Sequence, residues 1–589
     1  MIEQQMTSAR PVHDCTAAYR SWRARLWPVL VAATVPAVLL IPFIGKAFTV
    51  DDTVFIWVAR QIQAHPTDFF GFTANWDSFQ ERPMYEINKN PPGVSYVIAL
   101  VSALFGERET ILHAAFLLPA IAVSIGTYFL AKRFCSRPLG AALCAVLTPV
   151  FILSSSNVMS DTLMVSFYVW AAVLWMRGLE REEYLTLVLA AFMIGCSALT
   201  KYFGITMVPL LTAYTLMRNR RLGWWLLVML LPIVMVGSYE LYTRSLYGKG
   251  MLGDAAAFAA MPNWHRSGSY LSKLMHGLAF VGGCYTVVLF FGPFLASRRA
   301  WGNGILLSVL GLGLMLARYP GQRAYVSVGQ SVKWLYLGQW VLFAVGGMMV
   351  LALAAWDVWK RRDALSTLLL LWIAGAFVFS TSVNWTINGR ILLPMAPVVG
   401  ILIMRRLDAM PSANHISGWR IAWPLAPAAC VAIAAMWGEY CWANSERDAA
   451  QVLASELRNA SGDVYFMGHW GFQHYMEEWG AMPLSSDRPV KNGDVIILPD
   501  NNSYSLKLPK EVIRPLFRME LPVCSWMSTM HTRTGTGFYA DLWGPLPFAL
   551  GRTPQEVYNA FLVDFSPLGA SYGALGQTKL DSPNPGLAR

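Results

Sequence analysis

The residues TVDDTVFIWVARQI (49–62) and MYEINKNPPG (84–93) lie near the two ends of a long segment that follows the first apolar run of the chain. It begins with two adjacent carboxylates, Asp51 and Asp52, and five aromatic residues lie between Phe69 and Phe79. A connection between two membrane spans needs only a few polar residues, and long ordered loops are usually functional. We therefore predict that residues 46–109 contain the catalytic loop of a membrane enzyme.

The composition places the chain among polytopic membrane proteins. Of its 589 residues, 55% are hydrophobic and 14% are charged, against about 25% charged in soluble proteins. Apolar runs recur at the length of about 20 residues that crosses a bilayer as a helix. The net charge of +11 lies in short clusters between these runs, which is typical of membrane topology and argues against a nucleic-acid partner.

Thirteen apolar segments are predicted to cross the bilayer: 26–45, 110–131, 138–154, 161–176, 184–199, 203–217, 223–243, 277–296, 302–317, 335–356, 364–380, 391–404 and 419–438. The run at 93–105 is short for a span and suits a helix at the membrane interface. If it stays outside, every short basic cluster falls on the side of the N-terminus, as the positive-inside bias requires. If it is a span, six clusters change side.

These choices give a cytoplasmic N-terminal tail (1–25), a membrane domain (26–439) and an extracytoplasmic domain (440–589). In the last of these, VYFMG (464–468) and DVIILP (494–499) favour strands, and FQHYMEEW (472–479) favours a helix. TPQEVYNAFLV (553–563) predicts a second helix, with Thr553 as N-cap and Pro554 at the first helical position. The expected fold is a small α/β domain. A disulfide between Cys441 and Cys524 stays open.

Several carboxylates lie at the outer ends of spans. Asp51 and Asp52 follow the first span, and Asp161 begins another after SSSNVMS. Each is compatible with a helix N-cap and with a catalytic role, since a carboxylate close to the hydrocarbon is costly without a function. Two such sites on one face could flank a single cavity.

Lys201 and Arg390 are lone cations on the same predicted face. They either snorkel to lipid headgroups or bind a phosphate, Arg with two parallel bonds and Lys as a point charge. The histidines show no metal-ligand spacing and no nucleotide-binding fingerprint occurs. Carboxylates and cations at one membrane face suit an inverting attack by an acceptor hydroxyl on a lipid-phosphate sugar, with a carboxylate as base and cations on the departing phosphate.

Five motifs together resemble the GT-C glycosyltransferases, in the family 39-like branch of protein O-mannosyltransferases and lipid A aminoarabinose transferases. The match spans roughly residues 26–410, and its motifs are VDDTVFIWVA (50–59), NKNPPGVSYVIALVSALFG (88–106), SNVMSDTLMVSFYVWA (156–171), ALTKYFGITMVPLL (198–211) and NGRILLPMAP (388–397).

The resemblance implies an α-helical GT-C fold of about 13 spans with interfacial helices. Asp51 matches the catalytic aspartate and Asp161 the acidic residue of the second outer loop. The implied substrate-binding residues are Asp52, Glu86, Lys89, Asn90, Lys201 and Arg390. No cofactor is certain, and a divalent cation near Lys89 and Asn90 stays open.

Two departures limit the substrate prediction. Val54 and Phe55 stand where the aminoarabinose transferases tend to have Arg-Tyr, and Lys89-Asn90 replaces the Glu-Lys or His of the two branches. The expected partners are therefore a polyprenyl-phosphate sugar, an acceptor that is a lipid, glycan or protein, and the bilayer. The expected location is a bacterial inner membrane, with the site facing the periplasm or exterior. The alternatives are a transporter or flippase of a lipid-linked glycan, which would need ionisable residues at mid-membrane, and an inactive scaffold.

Overall fold

The computed structural model describes residues 15–76, 79–260, 270–328, 331–410, 418–503 and 508–566. The described helices are α1 (Cys15–Leu40), α2 (Asp52–Ala64), α3 (Met84–Ile87), α4 (Gly93–Phe105), α5 (Glu109–Ala131), α6 (Pro138–Val146), α7 (Pro149–Ser155), α8 (Ser160–Arg181), α9 (Tyr184–Thr200), α10 (Met207–Asn219), α11 (Trp225–Val228), α12 (Leu230–Tyr247), α13 (Met251–Ala260), α14 (Tyr270–Cys284), α15 (Val287–Leu295), α16 (Arg298–Arg318), α17 (Arg323–Val326), α18 (Trp334–Arg361), α19 (Ala364–Val378), α20 (Gly389–Leu392), α21 (Ala396–Asp408), α22 (Gly418–Glu456) and α23 (Trp470–Trp479).

The described strands are β1 (Thr73–Ala74), β2 (Arg82–Pro83), β3 (Ser327–Val328), β4 (Ser331–Val332), β5 (Val464–Phe466), β6 (Met482–Pro483), β7 (Val495–Pro499), β8 (Ile513–Leu521), β9 (Met527–Ser528), β10 (Met530–His531), β11 (Thr536–Gly537), β12 (Ala549–Leu550) and β13 (Glu556–Val563). The largest sheet has the order β6-β5-β7-β13-β8. Its β5 pairs are parallel, and its β13 pairs are antiparallel.

The predicted class, a helical polytopic membrane protein with a C-terminal sheet domain, is confirmed. Eight helices in the described ranges are long and apolar enough to cross a membrane, or ten if each of two bent pairs is one span. The bent pairs are α6 with α7, at 65°, and α14 with α15, at 90°. The predicted segments at 184–199, 203–217 and 391–404 are also helical but shorter, so the count of thirteen stays a prediction.

Helix α4 occupies the segment expected at the membrane interface. Val94 and Ile98 on one side are buried, whereas Leu100, Leu104 and Phe105 are more than half exposed. A short helix with an exposed apolar surface suits the boundary between headgroups and hydrocarbon.

The charge bias assigns the basic residues between the predicted spans to the cytoplasm. Arginines from different loops of this set share carboxylate partners at one end of the helices. Glu180 pairs with both Arg133 and Arg218, and Asp357 pairs with both Arg361 and Arg405. These contacts join loops that are far apart in the chain. The helix ends that carry Asp51, Asp161, Lys201 and Arg390 form a separate set of contacts.

Helix α22 joins the membrane domain to the tail without a break. The predicted boundary at 440 falls inside it. Beyond that point Ala449, Leu453 and Leu457 pack into a core with Phe466 and Ile497 of the sheet. The helix of the last predicted span therefore continues beyond residue 438 and packs on the sheet of the tail. Cys441 on this helix and Cys524 are free thiols that line one cavity of about 470 Å³.

The predicted strands at 464–468 and 494–499 and the predicted helix at 472–479 are confirmed. The helix predicted at 553–563 is wrong, because Glu556–Val563 forms β13 between β7 and β8. Thr553 and Pro554 precede this strand, so they do not begin a helix. Val557 and Phe561 are residue types that favour strands, and pairing on both sides outweighed the N-terminal signal of Thr-Pro.

Helices α14 and α18 are in backbone contact through glycine. A Cβ on Gly282 would lie 1.7 Å from the carbonyl oxygen of Phe343, and one on Gly347 would lie 2.1 Å from that of Leu278. Small residues allow such an approach of membrane helices. We expect Gly282→Val to lower the free energy of unfolding by about 1–3 kcal/mol, the usual cost of overpacking. Thermal unfolding in detergent measures this.

The control is Gly313→Val on α16, where the added Cβ would have no described atom within 4 Å apart from its chain neighbours and the backbone of its own helix. Equal melting temperatures for the two variants would contradict the expected close contact.

Candidate active site

Four side chains predicted from the sequence form one continuous cluster. Nη2 of Arg390 lies 2.8 Å from Oδ2 of Asp51, and its Nη1 lies 3.8 Å from Oδ2 of Asp161. Nζ of Lys201 donates to Oδ1 of Asp161 at 2.5 Å. The order Asp51–Arg390–Asp161–Lys201 alternates in charge. Helix α2 begins beside Asp51, α8 begins at Ser160, α9 ends before Lys201, and α20 contains Arg390.

The chain turns sharply just before Asp51. Val50 has a φ of +48° and is buried, a conformation that is unusual for a β-branched residue. Such strain costs of order 1–3 kcal/mol and is found preferentially at functional sites. The turn lies immediately before Asp51, which contacts Arg390.

The structure shows neither of the alternative roles, which were helix capping for the two carboxylates and snorkelling to headgroups for the two cations. Within the described chain, the side chain of Asp51 makes no cap bond to α2 although it occupies the N-cap position. Asp161 lies in the first turn of α8, where Met159 is the N-cap. The side chains of Lys201 and Arg390 are 18% and 12% exposed, so both bind carboxylates rather than reach outward to headgroups.

Exposure differs between the two carboxylates. The side chain of Asp51 is 34% exposed, whereas that of Asp161 is 1% exposed. Asp51 is therefore the carboxylate that an incoming molecule can reach. Asp161 lies between the two cations and holds them near each other.

Arg390 keeps its charge in this setting. Burial lowers its pKa, but the carboxylates of Asp51 and Asp161 outweigh burial and raise the pKa above its ordinary value. The ring of Tyr539 lies 5.2 Å from the guanidinium carbon. Nε of Arg390 is buried and has no hydrogen-bond partner among the described residues. A charged, partly unsatisfied guanidinium is suited to an anionic ligand.

Asp52 lies beside the cluster but faces inward. Its carboxylate accepts hydrogen bonds from the backbone N–H groups of Thr49, at 3.0 Å, and Val158, at 2.8 Å. These bonds join the first outer loop to the loop before α8. Burial raises the pKa of Asp52 to about 6, against the opposing effect of Lys46. This geometry gives Asp52 a role in joining loops, whereas the sequence suggested substrate binding.

The raised pKa of Asp52 makes stability depend on pH. Below about pH 4 the carboxyl is protonated in both states, but between pH 4 and 6 the unfolded chain loses its proton first. The contribution of Asp52 to the free energy of unfolding is therefore full at low pH and falls, by about 3 kcal/mol, as pH rises through 6. We expect Asp52→Asn to remove this part of the pH dependence in thermal unfolding between pH 4 and 8. Parallel curves for the two proteins would contradict the expectation.

A second buried network, which was not predicted from the sequence, lies behind the cluster. Lys46 is fully buried, donates to Oδ1 of Asn157 and lies 3.7 Å from Glu439. The hydroxyl of Tyr539 donates to Glu439 at 2.5 Å, and Nδ2 of Asn157 donates to that hydroxyl at 2.9 Å. Lys46 ends the first apolar run and Glu439 follows the last one. The signal of an ionisable residue at the edge of an apolar run was present at both positions.

Lys89, Asn90 and Glu86 lie in the same outer loop but have other partners. Lys89 and Lys249 both bind Asp254, at 2.5 and 3.1 Å. Burial raises the pKa of Asp254, but the two lysines outweigh it and hold the pKa below its usual value. Glu86 pairs with Arg82 at 3.0 Å.

The loop of Lys89 and Asn90 approaches Lys201 through the backbone. The N–H of Asn90 donates to Oδ1 of Asn88, which shapes the turn into α4. A Cβ on Gly93 would lie 2.6 Å from the carbonyl oxygen of Leu199. The start of α4 is therefore packed against the end of α9, two residues before Lys201.

In the described part of the chain, the carboxylates of the cluster pair with cations and are not grouped as metal ligands. No group of three or more His, Cys, Asp or Glu side chains with the geometry to hold a metal occurs in the described ranges. The carboxylates of the cluster already have Arg390 and Lys201 as counter-charges.

Residues 89–242 match the model of a protein family described as dolichyl-phosphate-mannose-protein mannosyltransferase. The matched range includes Asp161 and Lys201. This match agrees with the predicted resemblance to the protein O-mannosyltransferases over the residues that it covers. No curated protein matches the chain.

Several solved structures are similar to the chain. The apo oligosaccharyltransferase of Archaeoglobus fulgidus has 14% identity and a TM-score of 0.47, with 79% of this chain and 64% of that chain covered. Apo ArnT from Cupriavidus metallidurans has 16% identity and a TM-score of 0.39, with 81% and 93% covered. The sugar-donor-bound Pmt1-Pmt2 complex of S. cerevisiae has 15% identity and a TM-score of 0.26, with 39% and 32% covered. The chain thus spans less than two thirds of the archaeal enzyme.

Proposed function

We propose that this integral membrane protein transfers a sugar from a polyprenyl-phosphate donor to an acceptor hydroxyl at the extracytoplasmic face. The observation that carries the proposal is the cluster Asp51–Arg390–Asp161–Lys201, in which two cations and an accessible carboxylate lie together. The family match, to transferases described by a dolichyl-phosphate sugar, supports the donor class.

In this mechanism the acceptor oxygen attacks the anomeric carbon of the sugar. The bond from that carbon to the phosphate oxygen breaks, and its electron pair stays on the phosphate. Asp51 takes the acceptor proton, because it is the more exposed carboxylate and a positioned base accelerates such a step. One displacement inverts the anomeric centre.

Arg390 and Lys201 stabilise the charge that develops on the phosphate. Arg390 supplies its unpartnered Nε and its charge, and Lys201 supplies an ammonium group at the other side of Asp161. Preorganised cations of this kind act where charge develops in the transition state. Asp161 is the positioning residue of this pair, since it contacts both cations and is 1% exposed.

The outward orientation is supported by the two separate sets of contacts. The basic loops that the positive-inside bias assigns to the cytoplasm contact one another, and the cluster joins the loops assigned to the other side. An orientation with the cluster in the cytoplasm would place those basic loops outside, against the bias. A bacterial inner membrane with the site facing the periplasm is consistent with this arrangement.

The test uses the purified full-length protein in nanodiscs made with membrane lipids as acceptors. It is incubated with undecaprenyl-phosphate-linked hexose, pentose and aminopentose, and free undecaprenyl phosphate is measured by mass spectrometry. We expect release with one of these donors by the wild type and background release by Asp51→Asn. Release at the level of this variant with every donor would refute the proposal. Movement of intact donor across liposomes without release would instead favour a flippase.

A further inference from the structure

We propose that Tyr539, in the C-terminal domain, is a positioning residue for Arg390, so that the tail completes the phosphate-binding site. The inference rests on the proposed function in assigning Arg390 to the donor phosphate. The contact itself is independent of that assignment. It joins the tail to a loop of the membrane domain that is distant in the chain.

The loop that carries Arg390 is paired with residues 538–541, which we call the tail clamp. The N–H of Gly389 donates to the carbonyl oxygen of Phe538, and the N–H of Asp541 donates to that of Ile387, both at 2.8 Å. The carboxylate of Asp541 also accepts from the hydroxyl of Thr386 at 2.6 Å. The backbone just before Arg390 is therefore held by the tail.

Tyr539 lies in the middle of this clamp with its ring against Arg390. Its ring centre is 5.2 Å from the guanidinium carbon, and the residue is 3% exposed. Its hydroxyl is held at the far end by Glu439 and Asn157. The ring is thus fixed at both ends, by the clamp backbone and by buried hydrogen bonds.

The chemistry of an aromatic ring is suited to this position. An aromatic face attracts a guanidinium. The N–H groups lie in the guanidinium plane, so the ring does not accept hydrogen bonds from them. Arg390 gives one N–H to Asp51 and another to Sδ of Met159, and it keeps a buried Nε without a partner among the described residues. A carboxylate in place of the ring would orient Arg390 equally well but would occupy these donors. The ring restrains the guanidinium and leaves N–H groups for an incoming phosphate.

Two variants of Tyr539 separate the ring from the hydroxyl. Tyr539→Leu removes the aromatic face, and Tyr539→Phe keeps it. The matched control is Phe548→Leu, since Phe548 is a buried aromatic of the tail that packs on Phe343 and has no described contact with Arg390. Tyr539→Met, which fills the volume without an aromatic face, serves if the leucine variant is not recovered from membranes.

The first measurement is modification of Arg390 by phenylglyoxal in the full-length protein, quantified by mass spectrometry of its peptide. We expect modification to be several-fold faster in Tyr539→Leu than in the wild type, Tyr539→Phe or Phe548→Leu. Equal rates in Tyr539→Leu and Phe548→Leu would overturn the inference. This measurement requires no sugar donor.

The second measurement is the KM and kcat for the polyprenyl-phosphate sugar. Tyr539→Leu is expected to raise the donor KM about tenfold, the effect of one cation–π contact, while Tyr539→Phe stays close to the wild type. A donor KM in Tyr539→Leu equal to that in Phe548→Leu would also overturn the inference. Suppose that Arg390 is modified faster in Tyr539→Leu than in the controls, but that the wild type releases no polyprenyl phosphate. That result would support the positioning role of Tyr539 and refute the proposed function.

Discussion

Asp51→Asn is expected to abolish sugar transfer while the protein stays folded. The asparagine oxygen still accepts a hydrogen bond from Arg390, which lies 2.8 Å from the carboxylate in the native protein. An amide cannot take the acceptor proton, and loss of a general base slows a reaction by about 10²–10⁴-fold. The measurement is release of polyprenyl phosphate in membranes, together with the melting temperature of the purified variant.

A matched control for this substitution is Asp68→Asn in the same outer loop. Asp68 accepts a hydrogen bond from the hydroxyl of Tyr247 at 3.0 Å, and asparagine can keep that bond. We expect transfer by this variant to remain near the wild-type rate. Full transfer by Asp51→Asn would remove Asp51 from the mechanism and leave the cluster with a binding role at most.

Arg390→Ala is expected to weaken use of the donor more than any other substitution of a cation. It removes the charge opposite the phosphate and leaves Asp51 and Asp161 with less compensation. Loss of one partner from a buried charge pair costs about 2–5 kcal/mol, expressed here as a fall in kcat/KM for the donor. Arg390→Lys keeps a charge without the planar fork, so its activity should lie between those of alanine and arginine.

The control is Arg137→Ala, because Arg137 pairs with Asp408 at 2.5 Å in one of the basic loops assigned to the cytoplasm. Both alanine variants lose an ion pair of a partly buried arginine. Only Arg390→Ala should change donor kinetics beyond its change in melting temperature. Unchanged donor kinetics in Arg390→Ala would contradict the phosphate role.

Much of the membrane domain is predictable from hydropathy, because a bilayer requires long apolar helices whatever their packing. The same rule identifies the exceptional residues. Asp161 and Lys201 are noticeable in sequence because ionisable groups at span ends are costly. The structure adds that Lys201 binds Asp161 and that Arg390 reaches both Asp51 and Asp161.

The rest depends on tertiary pairing, which local pattern does not contain. Tyr539 meets Arg390 only because the tail folds back over the loop before α20. Glu556–Val563 is a strand because β7 and β8 pair with it on both sides, although Thr553 and Pro554 favour a helix start. Lys46 and Glu439, at opposite ends of the membrane domain, become partners only in the folded chain, where the segments that follow the first and last predicted spans meet.

The unbroken course of α22 from Gly418 to Glu456 has a consequence for how an acceptor arrives. Beyond Pro427 the helix continues without proline to Glu456. Because a helix rises about 1.5 Å per residue, this part sets the distance between the membrane domain and the sheet. The sheet domain is therefore joined to the membrane domain by a helix and not by a flexible linker. Under the proposed function, the acceptor must therefore reach Asp51 with the sheet domain in place.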